Sequence, residues 1–429
     1  MIAPGAPAPA VCVDVGSTWT KAALVNDDGT VAGFAEHPTI ARDVLTGMDA
    51  AVRAVTATGP QGDAPVLLAC SSAGGGLPLA VVGTEQLTAT EAGYGVALSA
   101  GCRIVHVRGG RLDPSDVREL GTLRPGALLV VGGADGDDPA PLLHNIGRLA
   151  AGRVRCPIVL AGNASARGDG LALLRAAGRT VTACANVAPH RGELTPGAAR
   201  EALTRLYLRH TLGGRGPAVG PRFRRQVRLV TPDVVGRATG LLARLHGGRV
   251  LVVDVGCATT GVYSACGDGH GVLRTIEGDL GVRASAAGVL ESGQAEGLVD
   301  PMEADLLRPT VTRVTGEIGY VPRSAGGAAE DRRLAAVAAV VAARRHVRAR
   351  GGERPRLVVL TGGVFRRYDP AGGLGAVGAT LRADPELADV LAGAELIIDT
   401  AFTVVPAGLL AADGRVEAAE AVLREDLLD

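Results

Sequence analysis

The chain has 429 residues, 44 basic and 44 acidic side chains, and a formal net charge of zero. No basic field exists to draw a polyanion, so neither nucleic acid nor an acidic membrane surface is an expected partner. Hydrophobic residues make up 47% of the chain and aromatic ones 2%, so Ala, Val and Leu must fill the core and stacking platforms for bases are scarce. The length suits about two or three domains. The seven cysteines are scattered without a CxxC pair, which suggests reduced thiols in a cytoplasmic protein rather than a zinc ribbon or a disulfide framework. The first ten residues are Ala/Pro-rich and do not read as a signal peptide, and no apolar run approaches the roughly 20 residues of a membrane helix.

In chain order, residues 11–15 and 20–25 are apolar strands joined by a Gly16-Ser17-Thr18 turn, and a third strand is expected at 30–36. A strand at 65–70 runs into Ser71-Ser72-Ala73-Gly74-Gly75-Gly76, whose glycines suit a phosphate cradle or a flexible loop equally. Short strands at 104–107, 127–131, 157–161 and 180–183 alternate with helical patterns such as 141–151 and 169–177, which is βαβ logic and a mainly parallel sheet. A helix is expected over 195–212, with Thr195 as cap, Pro196 in its first turn and Gly213 as its stop. Residues 215–225 read as a Gly/Pro/Arg connector. A helix opens at Thr231-Pro232-Asp233 and runs to about 245. Strands at 250–255, 260–265 and 272–276 then repeat the meander of the N-terminus. A long helix over 330–350 carries Arg on one face, and its basic run from Arg344 to Arg350 is expected as a solvated face that complements the helix dipole. A strand at 356–361 ends in Gly362-Gly363, and a late strand at 396–398 and a helix at 416–428 close the chain.

The meander is used twice. Val13-Asp14-Val15-Gly16-Ser17-Thr18 and Val253-Asp254-Val255-Gly256-Cys257-Ala258 place an Asp at a strand end before a glycine turn, which implies two similar lobes with matching tips. Gly16, Ser17 and Thr18, and likewise Gly256, Cys257, Ala258, Thr259 and Thr260, offer backbone N–H groups and hydroxyls to phosphate oxygens. Asp14 and Asp254 are candidate Mg²⁺ positions, since Mg²⁺ keeps several waters and uses few carboxylates. Lys21 is the single lysine among the 44 basic residues, and it follows the first turn. A compact ammonium fits a narrow phosphate pocket that a planar guanidinium does not. Gly362 and Gly363 let backbone press against an adenosine, with Arg366 able to stack on the base. Leu129-Val130-Val131-Gly132-Gly133 has the same look, so that pattern alone is unspecific. The eight histidines show no metal-ligand spacing.

This order of phosphate turn, connecting helix, second phosphate turn and Gly-Gly resembles the actin-like ATPase superfamily. Cys70-Ser71-Ser72-Ala73-Gly74-Gly75-Gly76, Gly162-Asn163, Asn186-Val187-Ala188-Pro189, Arg200-Glu201-Ala202-Leu203, the second turn through Thr260, and Arg274-Thr275-Ile276-Glu277-Gly278-Asp279-Leu280-Gly281 are similar to the MutL/GlmL family. These are accessory proteins encoded with adenosylcobalamin-dependent glutamate mutase and related carbon-skeleton mutases, unrelated to mismatch-repair MutL. The resemblance implies an α/β fold of two ribonuclease-H-like lobes with an inserted α/β region in the first. The expected division is 1–103 for the first lobe with its phosphate turn, 104–190 for the insert, 191–248 for helices completing that lobe, and 249–429 for the second lobe. It implies ATP and Mg²⁺ as cofactors, with Asp14, Lys21 and Asp254 as the reacting set and Gly281 in the stretch after the second turn. The family-like second turn reads Gly-Gly-Ala-Thr-Thr-Asp, whereas this chain has Cys257 and Gly261 at two of those places, and Asp233 stands near the position where chaperone ATPases carry an acid.

The expected role is an ATP-binding, weakly hydrolysing reactivase or assembly chaperone for such a mutase, with the insert contacting the mutase subunit. A small-molecule kinase or a nucleotide-sensing scaffold is the alternative.

Overall fold

In the computed structural model, residues 8–40, 43–57, 64–72, 77–88, 91–93, 96, 102–190, 192–206, 221–268, 271–350, 353–366 and 370–428 are described. The Gly74–Gly76 cradle, Gly213 and most of the 215–225 connector lie outside them.

The strands are, in chain order, β1 (Ala10–Val15), β2 (Trp19–Val25), β3 (Val31–Pro38), β4 (Val66–Ser71), β5 (Leu77–Val82), β6 (Cys102–Arg108), β7 (Ala127–Val130), β8 (Ile158–Leu160), β9 (Val181–Ala183), β10 (Val227–Val230), β11 (Val250–Val255), β12 (Thr260–Ala265), β13 (Val272–Glu277), β14 (Leu357–Thr361) and β15 (Glu395–Ile398). The chain divides into two compact units, one of Met1–Gly75 with Gly213–Asp429 and one of Gly76–Leu212.

The first unit holds two five-stranded sheets, ordered β10-β4-β1-β2-β3 and β13-β12-β11-β14-β15. Numbered within each half, both have the order 3-2-1-4-5, three antiparallel strands of a meander and two parallel ones beside the first. The duplication read in the sequence is therefore a duplication of fold, and the ribonuclease-H-like arrangement of two lobes is present. Strands β1 and β11 are central, β1 buried throughout and β11 buried except at the half-buried Asp254, and both end on the Asp-Val-Gly step.

Val and Ala fill this unit. Residues 334–343 of helix Ala325–Arg350 are buried without interruption, as expected where a helix is apolar all round. Helix Val404–Ala412 packs against helix Thr231–His246, and a Cβ on Gly408 would lie 2.1 Å from the Val234 carbonyl oxygen, so this close approach requires glycine.

The basic run of the long helix is a solvated face only at its end: residues 348 and 349 are exposed, but the run's first residues are not. Arg344 is buried and binds Asp384 at 2.6 Å, Arg345 binds Glu277 at 2.7 Å, and the His346 ring sits 2.9 Å from the Ser264 hydroxyl. The partners come from distant elements, which is why the local pattern of arginines does not reveal them.

The second unit is a parallel sheet ordered β6-β5-β7-β8-β9, the doubly wound order 2-1-3-4-5. Strand β5 joins it, so this sheet begins before the 104–190 region. Pro78 argues locally against a central strand, but it lies at the strand's start, before the pairing with β7 begins at Leu79. Helix Gly197–Leu206 starts with the Arg200 N–H donating to the Pro196 carbonyl. Thr195 does not cap it, because its hydroxyl donates to the Asn186 carbonyl at 2.9 Å. Among the described residues no helix is long and apolar enough to cross a membrane.

Candidate functional site

The two turns of the first unit have the same geometry. The Gly16 N–H donates to the Trp19 carbonyl at 3.1 Å and the Gly256 N–H to the Thr259 carbonyl at 3.0 Å. A Cβ would stand 2.6 Å from the Trp19 oxygen at the first glycine and 2.8 Å from the Thr259 oxygen at the second, so a side chain at either opens the turn.

The register sets what faces each acid. Asp14 lies opposite Lys21, and Asp254 lies opposite Gly261. Asp14 is buried and accepts from Lys21 Nζ at 3.0 Å and from the Thr231 hydroxyl at 2.7 Å, with the Cys70 thiol at 3.8 Å. Thr231 thus opens its helix and also holds the first acid, a role that a capping pattern does not announce. Burial works against the Lys21 charge, but the Asp14 carboxylate outweighs it and holds the ammonium above its ordinary value. Asp254 receives no hydrogen bond among the described residues. Burial pushes its carboxyl up to about 6, with Lys21 pulling it down and Asp14 pushing it further up.

Asp14, Lys21 and Asp254 line one cleft of about 1010 Å³, open solvent at its mouth included. Gly16, Ser17, Thr18, Gly256, Cys257, Ala258, Thr259, Gly362, Gly363 and Arg366 line it as well. Thr260 and Gly281 do not. The Thr260 hydroxyl is buried and donates to the Leu280 carbonyl at 2.6 Å. Gly281 presses on the back of the second turn, where a Cβ would meet the Ala258 carbonyl carbon at 2.2 Å. That approach lets the Val282 N–H reach the Gly256 carbonyl at 3.1 Å and the Arg283 N–H reach the Cys257 carbonyl at 2.9 Å. Arg283 is itself held by Asp331 through a buried two-point ion pair at 2.6 and 2.9 Å. Asp233 does not line the cleft, because it pairs with Arg274 at 2.6 Å.

At the Gly-Gly end, Gly362 adopts φ +136 and a Cβ on it would lie 2.2 Å from the Val255 oxygen. The Arg366 guanidinium lies over the rings of Phe34 at 5.5 Å and Phe402 at 5.2 Å, so it already stacks within the protein. Phe402 has a left-handed backbone, φ 62, which is uncommon for a bulky residue. Asp399 fixes that bend by accepting from the Thr403 N–H at 2.7 Å and the Thr361 hydroxyl at 2.8 Å. Sequence reasoning missed Phe402 and Tyr263, both of which line the cleft; burial and the Asp254 charge raise the Tyr263 phenol well above its usual value.

The donors present suit a phosphate chain. The Thr18 hydroxyl is buried with no partner among the described residues. No hydrogen bond among those residues uses the N–H of Ser17, Thr18, Cys257 or Ala258. Among the described residues no cluster of three or more His, Cys, Asp or Glu is arranged to hold a metal. Two carboxylates beside turns with open N–H donors suit Mg²⁺, which retains waters and uses few carboxylates.

Two ribonuclease-H-like lobes with twin Asp-Gly turns on one cleft define an actin-like α/β protein. A family profile described as MutL protein matches residues 10–427. The chain belongs to the MutL family. Protein MutL of Clostridium tetanomorphum is 32% identical over 303 residues, covering 65% of this chain and 65% of that relative. The aligned region therefore spans slightly less than two thirds of the relative's length. Among solved structures, the nucleotide-free acetone carboxylase is similar with a TM-score of 0.41 at 13% identity, over 94% of this chain and 70% of that one. A ROK family glucokinase from Streptomyces griseus gives 0.36 at 13% identity, over 96% and 98%.

Proposed function

We propose that this protein binds ATP with Mg²⁺ in the cleft and uses it to reactivate or assemble an adenosylcobalamin-dependent carbon-skeleton mutase such as glutamate mutase. The observation that carries the nucleotide reading is the convergence of Asp14, Lys21 and Asp254 on one cleft from two copies of the same turn. Ser17, Thr18, Cys257 and Ala258 donate to phosphate oxygens, and Lys21 adds a point charge. Asp14 and Asp254 orient the hydrated cation, which neutralises phosphate charge when bound. Gly362, Gly363 and Arg366 receive the nucleoside. A ligand gripped by both turns favours a closed arrangement of the two sheets and its release an open one, so binding energy becomes rotation. The unit over 76–212 is the surface offered to the mutase.

Membership of the MutL family supports the mutase as client. The ion pair of Asp233 with Arg274 leaves no second acid at that point to serve as a base, which speaks against a kinase and for slow turnover. The test is recovery of an inactivated mutase by this protein with and without Mg–ATP. ATP-dependent recovery supports the reading; no recovery alongside measurable ATP binding leaves a nucleotide-sensing scaffold in its place.

A further inference from the structure

We propose that the Tyr263 hydroxyl is a ligand-binding group of the cleft, standing in for the side chain that Gly261 lacks and donating a hydrogen bond to the terminal phosphate of the nucleotide. The two hairpins differ in what lies opposite the acid. Opposite Asp14 stands Lys21, which supplies a cation; opposite Asp254 stands Gly261, which supplies nothing. The space above that glycine is filled from two residues along the strand. A Cβ on Gly261 would lie 2.8 Å from both Tyr263 Oη and Tyr263 Cε2, and 3.1 Å from Ile276 Cδ1. Residues 261 and 263 share one face of β12, so the phenol lies back over the glycine toward the acids.

Tyr263 is 1% exposed and lines the cleft. Its hydroxyl makes no hydrogen bond to any described residue. A buried tyrosine ordinarily finds a partner for its hydroxyl, and a ligand in the cleft provides one. The phenol folds over Gly261, which lies opposite Asp254, so it stands beside the second acid, and the Asp254 and Asp14 charges act on it. The ligand atoms at that end are anionic oxygens. A phenol is protonated at neutral pH and donates to such an oxygen; it does not draw a proton from water there, so it binds and positions rather than acting as a base.

This inference rests on the nucleotide reading above, and its test separates the two. Calorimetric titration of Mg–ATP and Mg–ADP compares the wild type with Tyr263→Phe, which keeps the ring and removes one oxygen. Loss of one hydrogen bond to a charged group predicts about a tenfold weaker Kd for ATP with ADP changed less than about twofold. Gly261→Ala, whose methyl collides with the phenol and displaces it, should show the same ATP-selective loss. Unchanged ATP affinity in Tyr263→Phe overturns the inference while leaving the nucleotide reading intact, and equal losses for ATP and ADP overturn the terminal-phosphate assignment. A wild type that binds neither nucleotide overturns both.

Discussion

Asp254→Asn should make the ligand-free protein more stable at pH 8, although it removes a residue of the site. Burial lifts this carboxyl from 3.8 to about 6. Each unit is worth about 1.4 kcal/mol, so ionised Asp254 costs the fold roughly 3 kcal/mol before solvent in the open cleft is allowed for, and about 1–3 kcal/mol after it. The sign follows from proton binding. The folded chain holds this proton more tightly than the unfolded one, so the group costs no stability below about pH 4. The cost grows as the pH climbs to about 6 and persists above it. Asparagine has the same shape and does not ionise. The chain contains two compact units, so a single unfolding midpoint is a poor readout. Native-state hydrogen exchange at the β11 and β12 amides reads local stability instead. Slower exchange in Asp254→Asn at pH 8, narrowing toward wild type near pH 4.5, is the expected result. A variant that exchanges faster at pH 8, or by the same margin at both pH values, refutes the claim that a half-buried carboxylate with no hydrogen bond among the described residues is held here against its desolvation cost.

Lys21→Arg keeps the charge but puts a planar fork where Nζ lies 3.7 Å from the Cβ position of Gly16; ATP affinity should fall about tenfold by calorimetry. Gly281→Ala drives a methyl into the Ala258 backbone and should cost about 1–3 kcal/mol, seen as faster hydrogen exchange at residues 256–259. Arg344→Met leaves buried Asp384 without its cation, at a cost of about 3–5 kcal/mol, read as faster native-state hydrogen exchange along residues 334–347; the double variant with Asp384→Leu should recover most of it.

The strand ends at both Asp-Val-Gly steps were legible because one local pattern, apolar strand then acid then glycine, sets them. Residues 250–255 and 260–265 match β11 and β12 at every position. Pairing Lys21 with Asp14 was also readable in principle, since a tight turn fixes which residues lie opposite. What was not legible depends on contacts distant in sequence. The buried state of Arg344 needs Asp384 and Glu296. The place of Thr231 against Asp14 needs two elements 217 residues apart. By the family pattern Gly261 reads as a missing acid, and only the packing of Tyr263 over it shows that the space is occupied. Phe402 carries no local sign of its left-handed turn, which Asp399 and helix Val404–Ala412 impose.

Convergence of the two acids on one nucleotide is tested most directly by a double-mutant cycle on Mg–ATP binding, with Asp14→Asn, Asp254→Asn and the pair. Residues that act on a single bound metal–phosphate group are coupled. Each single variant should weaken ATP by about tenfold or more, and the double should be little worse than either, a coupling of at least about 1 kcal/mol. Losses that simply add, or ATP affinity unaffected by one of the acids, would contradict a shared site.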